Sequence, residues 1–136
     1  MSKYTSKKTI ISAPCSKVYT FLSDFNNFGK LMPPQVKNWK SDEESCTFTI
    51  DGMADLSMKI LRKSENKSIN IISFGKNPVE YTMDILFWEI NDNSCEVLIE
   101  FDVELNPFLK MLADKPLQNF VDMLAEKLKE LFEKTN

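Results

Sequence analysis

Between residues 46 and 105 apolar side chains recur at every second position, and from residue 117 the repeat becomes that of a helix. Cys46, Phe48 and Ile50 begin the alternation, and Ala54, Leu56, Met58 and Ile60 resume it. Two longer runs carry it on: Val79, Tyr81, Met83, Ile85 and Phe87, then Cys95, Val97, Ile99, Phe101, Val103 and Leu105. A period of two with apolar residues on one side predicts antiparallel strands with one covered face. In the tail Leu117, Phe120, Val121, Leu124, Leu128 and Leu131 follow i, i+3, i+4, i+7 spacing, with Asp122, Glu126, Lys129 and Glu130 on the other side. That helix is the one long apolar stripe available to cover the sheet, so the strands should twist and curl around it.

The connections have hairpin chemistry: Ser41-Asp42-Glu43-Glu44, Asp51-Gly52, Ser64-Glu65-Asn66-Lys67, Gly75-Lys76-Asn77-Pro78 and Asn91-Asp92-Asn93-Ser94. Two stretches break parity. Val36 and Trp39 fall on opposite faces, and so do Ile69-Ile71 and Ile72-Phe74; a bulge in either strand would reconcile them. Asn106 suits a helix cap and Pro107 a first helical position. Pro116 cannot donate to the carbonyl of Leu112, which predicts a kink or a restart there.

At the other end Ile10-Ile11-Ser12-Ala13-Pro14 reads as a short strand running into a helix. Apolar side chains recur at 15, 18, 19, 22 and 25, and Pro14 suits the first turn. Asn26 to Pro34 adds a short helical turn stopped by Pro33-Pro34. Ala13-Pro14, Val18, Phe21-Leu22-Ser23-Asp24 and Phe28-Gly29-Lys30-Leu31-Met32-Pro33 resemble the opening of the START/polyketide-cyclase (SRPBCC) superfamily, and the order of elements extends the resemblance over essentially the whole chain. The expectation is an α+β helix-grip fold. A curved antiparallel sheet of about seven strands wraps a long C-terminal helix, with two short helices after strand 1, in one domain over residues 1–136.

Composition narrows the chemistry. The net charge is −3 and Arg62 is the only arginine, so neither a phosphate fork nor a basic stripe for nucleic acid is expected. There is no histidine, which removes Ser-His-Asp and Cys-His arrangements and the commonest metal ligand. Glycines at 29, 52 and 75 cannot form a phosphate loop, and no cofactor or metal is expected. Cys15, Cys46 and Cys95 are odd in number and lack a Cys-x-x-Cys pair, so a disulfide framework or zinc site is disfavoured, each cysteine fitting as a small apolar side chain. No apolar run is long enough to span a bilayer, and the opening residues lack the apolar block of a signal peptide. The expectation is a cytoplasmic protein without stable membrane insertion.

Superfamily members divide among lipid and hormone binding, aromatic cyclisation, quinone-binding respiratory helpers and chaperone co-factors, so the resemblance implies a ligand-holding domain without naming an activity. The candidate ligand-binding residues are Phe25, Phe28 and Met32 on a lid over the open end. The strands add Phe48, Met58, Tyr81, Met83, Ile99 and Phe101, and the last helix Leu117, Phe120 and Leu124. Methionine and phenylalanine suit a flexible hydrophobic guest, as they suit a filled core. No catalytic residue is assigned. Asp51 and Asp55 could form an acid/base pair but read more simply as a turn residue and an outward strand residue. Tyr81, inward by parity, needs a hydrogen-bond partner, whether ligand or main chain. Glu89 shares that parity at a solvated strand end. Trp39 should pack under the short helices, and Leu86, Trp88 and Ile90 share the outer face with Leu98. A monomer is expected, with the Trp88 face offering a weak dimer or partner surface unless lysine stems cover it. The competing readings are a polyketide cyclase/dehydrase-type enzyme and a chaperone-co-factor-like interaction module.

Overall fold

The computed structural model describes residues 2–34, 36–50, 55–75 and 79–134. The expected hairpin at Asp51-Gly52, most of the turn before Val79, and Met53 lie outside the described residues. The chain opens with strands β1 (Ser2–Thr5) and β2 (Thr9–Ile11), followed by helices α1 (Cys15–Leu22) and α2 (Phe25–Phe28) and a 3-10 turn (Gly29–Leu31). Strands β3 (Val36–Ser41), β4 (Ser45–Ile50), β5 (Asp55–Ser64), β6 (Ser68–Ser73), β7 (Tyr81–Asn91) and β8 (Ser94–Val103) come next, followed by helix α3 (Pro107–Lys134). The sheet is antiparallel in the order β1-β8-β7-β6-β5-β4-β3, with β2 also on β8. Eight strands therefore fill seven positions, because β1 and β2 form one interrupted edge.

That interruption was not legible in the alternation. Thr5 faces Glu100 and Thr9 faces Val97, so the register slips by one residue between them. Ser6 bridges the gap: its N–H donates to the Ile99 carbonyl at 2.8 Å, and its Oγ accepts from the Ile99 N–H at 3.0 Å. Both main-chain groups of Ile99 stay satisfied across the break, which is why a serine is tolerated in a buried position. The sequence-predicted first strand, running to Pro14, is thus shorter than expected and preceded by a second piece at 2–5.

The two parity conflicts resolve differently. In β3 the ladder shifts between Lys37 and Lys40, where Asn38 takes a left-handed backbone with φ 57°. Asparagine tolerates that conformation better than most residues. The second shift lies in β5, between Ile60 and Arg62, and not in β6. Strand β6 alternates regularly, with Ile69 and Ile71 buried and Ile72 on the other face.

Helix α3 begins as expected. Asn106 Oδ1 accepts from the Leu109 N–H at 2.8 Å, and Pro107 occupies the first position. It does not restart at Pro116: the helix runs through it without interruption. The side-chain stripe of Leu117, Phe120, Val121, Leu124 and Leu128 is fully buried against the concave face of the sheet. Such a helix is held by tertiary packing, which outweighs the one hydrogen bond a proline removes.

The largest departure from expectation concerns cysteine. Cys15, the first residue of α1, and Cys95, near the start of β8, are joined as a disulfide with their Cα atoms 4.9 Å apart. They are 80 residues apart in sequence, and counting cysteines could not reveal that the fold brings α1 onto the β7–β8 hairpin. Cys46 is free and buried.

Candidate functional site

The inner surface of the grip is built from three sources. Strands β4, β5, β7 and β8 direct alternate side chains toward α3, α3 returns its apolar stripe, and α1, α2 and the 3-10 turn close one end. Asp24 sets the lid: its carboxylate accepts from the Asn26 N–H at 2.9 Å, starting α2. Phe25 and Phe28 then point into the core with ring centroids 5.4 Å apart. The Phe25 N–H donates to the Glu43 carbonyl at 3.1 Å, tying α2 to the β3–β4 turn.

Of the candidate residues, Phe25, Phe28, Phe48, Met58, Tyr81, Met83, Ile99, Phe101, Leu117, Phe120 and Leu124 are all buried in one cluster. An aromatic relay crosses from sheet to helix: Tyr81 lies 5.3 Å from Phe101, and Phe101 lies 6.2 Å from Phe120. Met83 is the register partner of Phe101, and Met58 that of Cys46. Met32 differs, being only half-buried. It lies on a crevice of about 220 Å³ between the lid and α3, with Leu31, Pro33, Met123 and Glu126 among the other walls.

Tyr81 finds its partner in the main chain. Its hydroxyl donates to the Ser57 carbonyl at 2.7 Å, and burial pushes the phenol above its ordinary pKa. It therefore stays protonated at neutral pH. Burial likewise pushes the Cys46 thiol up to about 12, so this cysteine is an inert apolar side chain and not a nucleophile. Asp55 is exposed on its strand, Glu89 is exposed at the end of β7, and Asp51 lies outside the described residues. Among the described residues no group of three metal-ligating side chains comes together.

Trp39 packs where expected. Its ring stacks on Phe48 at 5.5 Å and lies across Gly29, while its Nε1 donates to Ser41 Oγ at 3.1 Å. The Ser41 hydroxyl donates in turn to Asn26 Oδ1 at 2.8 Å, linking lid to sheet. On the outer face Leu86 and Leu98 are register partners, and Trp88 and Ile90 are exposed. Lys8 lies over the Trp88 ring at 5.4 Å, a partial cover of the kind that lysine stems give.

Two features escaped the sequence reading. Tyr4 OH donates to Asp114 at 2.5 Å, and Lys110 holds the same carboxylate at 2.9 Å, a clasp of β1 to α3. Burial and then the carboxylate push the Tyr4 phenol up to about 12, while its hydrogen bond and Lys110 hold Asp114 below the usual carboxylate range. The four-residue strand carrying Tyr4 is too short to show a period. The second is the exposed start of α3, where Phe108, Met111 and Leu112 stand 69%, 81% and 63% exposed. Its signal was present, since Pro107 to Leu112 is apolar on most sides and not on one stripe.

No protein-family model and no curated protein matches the chain. Solved structures do. A START superfamily protein from Mycobacterium smegmatis superposes with a TM-score of 0.73 at 16% identity, covering 98% of this chain and 99% of that one. The protein XoxI from Bacillus cereus gives 0.77 at 13% identity, over 99% and 98% of the two chains. Norcoclaurine synthase from Thalictrum flavum gives 0.68 at 12% identity, over 96% and 86%. The chain has a START-like helix-grip fold.

Proposed function

We propose that this chain, folded as one domain, binds a small hydrophobic molecule, lipid-like or aromatic, between its sheet and α3. The observation that supports the reading is the continuity of the inner surface. Eleven candidate residues from the lid, four strands and α3 belong to one buried apolar cluster, and the twelfth, Met32, packs against it at the lid–helix crevice. A guest entering there meets Met32 and Met123 first, then Met58 and Met83 deeper in. Unbranched thioether side chains repack at low cost, so a lining closed without ligand can open to admit one. The protein acts in this reading as a cytoplasmic monomer that carries its guest, without a cofactor.

Native mass spectrometry of freshly purified protein tests this, with titration of a fluorescent fatty acid as a second measurement. A co-purifying small molecule, or saturable binding that Met32→Trp and Leu124→Trp each weaken at least about tenfold, or 1.4 kcal/mol, is the expected result. No co-purifying molecule, together with fatty-acid binding that is lost only on altering the Trp88 face, would overturn it in favour of an interaction module.

A further inference from the structure

The disulfide and the lid share one element. Cys15 is the first residue of α1, and α1 leads through Leu22 and Asp24 directly into Phe25 and the lid. Besides the disulfide, α1 is held to the sheet by buried Val18 and Leu22 and by the edge-on contact of Tyr19 with Phe87 at 5.8 Å. Cys95 lies on β8, close to the tip of the β7–β8 hairpin, so the covalent bond fixes the root of the lid to the most extensively paired ladder of the sheet. The free cysteine Cys46 lies on β4, outside this pair.

One further observation bears on whether the bond opens. A surface recess of about 350 Å³ is lined by Ser12, Ala13, Pro14, Lys17 and Asn93, which flank both cysteines in sequence. Neither cysteine lines it, but it opens beside Pro14 at the root of α1, where Lys17 favours a thiol that carries a carboxylate.

We propose that the Cys15–Cys95 bond is a reducible latch at the root of the lid, closed to retain a bound ligand and opened by small anionic thiols to let it exchange. In opening, an external thiolate attacks the Sγ of Cys15, a buried residue 3% exposed against 0% for Cys95. A mixed disulfide forms, the Cys15–Cys95 bond breaks, and Cys95 leaves as a thiolate that takes up a proton. A second external thiolate attacks the external sulfur of the mixed disulfide and expels the Cys15 thiolate. Two external thiols become one disulfide, and the protein gains two thiols. The ligand half of this inference rests on the binding reading above; the latch half does not.

Hydrogen–deuterium exchange of the full chain separates the two. Oxidised protein, protein equilibrated with reduced glutathione, Cys15→Ala/Cys95→Ala and Cys46→Ala are compared at amides 25–32 and 117–128. Reduction and the double substitution should each speed exchange at 25–32 by about tenfold or more, leaving 117–128 and the Cys46→Ala protein unchanged. Release of a preloaded fluorescent fatty acid should accelerate in parallel. Equal protection at 25–32 in oxidised and reduced protein would overturn the latch, as would exchange rising equally at 117–128, which would make the bond a general staple of the fold. Lid amides that respond in a protein binding no fatty acid would leave the latch standing and sink the ligand reading.

Discussion

Trp39 lies so close over Gly29 that a Cβ built at residue 29 would stand 2.7 Å from the indole Nε1. The backbone of Gly29 is helical, with φ −57°, so the glycine is required by the approach of the ring and not by its dihedral angles. Gly29→Ala must therefore push the indole away from Phe48 and strain its bond to Ser41. A cost of about 1–3 kcal/mol is expected, typical of overpacking, with faster exchange of the lid amides. Urea denaturation followed by circular dichroism measures the first; a loss below about 0.5 kcal/mol would mean that the ring moves freely.

Helix α3 should be energetically divided. Phe120→Ala and Leu124→Ala remove fully buried side chains from the stripe and should cost about 3–5 and 2–5 kcal/mol respectively. Phe108→Ala and Met111→Ala, on the exposed first turns, should change stability by less than about 0.5 kcal/mol. Chemical denaturation of the four variants decides it. Similar losses at both ends would contradict the packing described here.

Tyr81→Phe distinguishes a carrier from an enzyme. The ring keeps its place against Phe101, and the Ser57 carbonyl keeps the Phe74 N–H at 3.2 Å, so losing the one hydrogen bond should destabilise the protein by only about 0.5–1.5 kcal/mol. Ligand affinity should stay within about tenfold, because recognition by shape does not need the hydroxyl. An enzyme using the phenol as acid or oxyanion donor would instead lose about a hundredfold or more in turnover.

Alkaline pH should unfold the protein in a graded way. Cys46 titrates near 9.0 when exposed and near 12 when folded, so the native state holds a proton that the unfolded state releases in that window. Stability from this group is complete below pH 9 and falls as pH rises, by up to about 1.4 kcal/mol per pH unit. Tyr4 and Tyr81, both raised from 10.0, add slopes of the same sign from higher pH. Melting temperatures measured from pH 8 upward, for wild type and Cys46→Ala, should diverge above pH 9, with the variant losing less. Parallel curves would place the cysteine in a more polar setting than its burial implies.

The helix-grip architecture was legible because two incompatible periods follow each other in the chain. Alternation from Cys46 to Leu105 can cover only one sheet face, and the stripe from Leu117 to Leu131 is the long apolar surface that fits it. Cap chemistry was equally local: Asn106, Pro107 and the turn residues act on backbone groups a few positions away. The burial of Phe48, Met83 and Phe101 followed from parity alone, and that of Phe120 from helical spacing.

What remained was decided by contacts between distant segments, which no local period encodes. The bulge sites depend on how the neighbouring strand pairs, so the conflict seen in Ile69 to Phe74 was settled in β5, at Ile60 and Arg62. The helix passes Pro116 because its flanks are clamped by the sheet and by the Tyr4–Asp114 clasp. Cys15 and Cys95 meet only because α1 folds back onto the last hairpin, 80 residues along the chain. Sequence by itself determined which side chains face inward, since that is a property of a strand or a helix taken alone. The tertiary structure decided which of them touch, because proximity is set by the closure of the whole sheet around one helix.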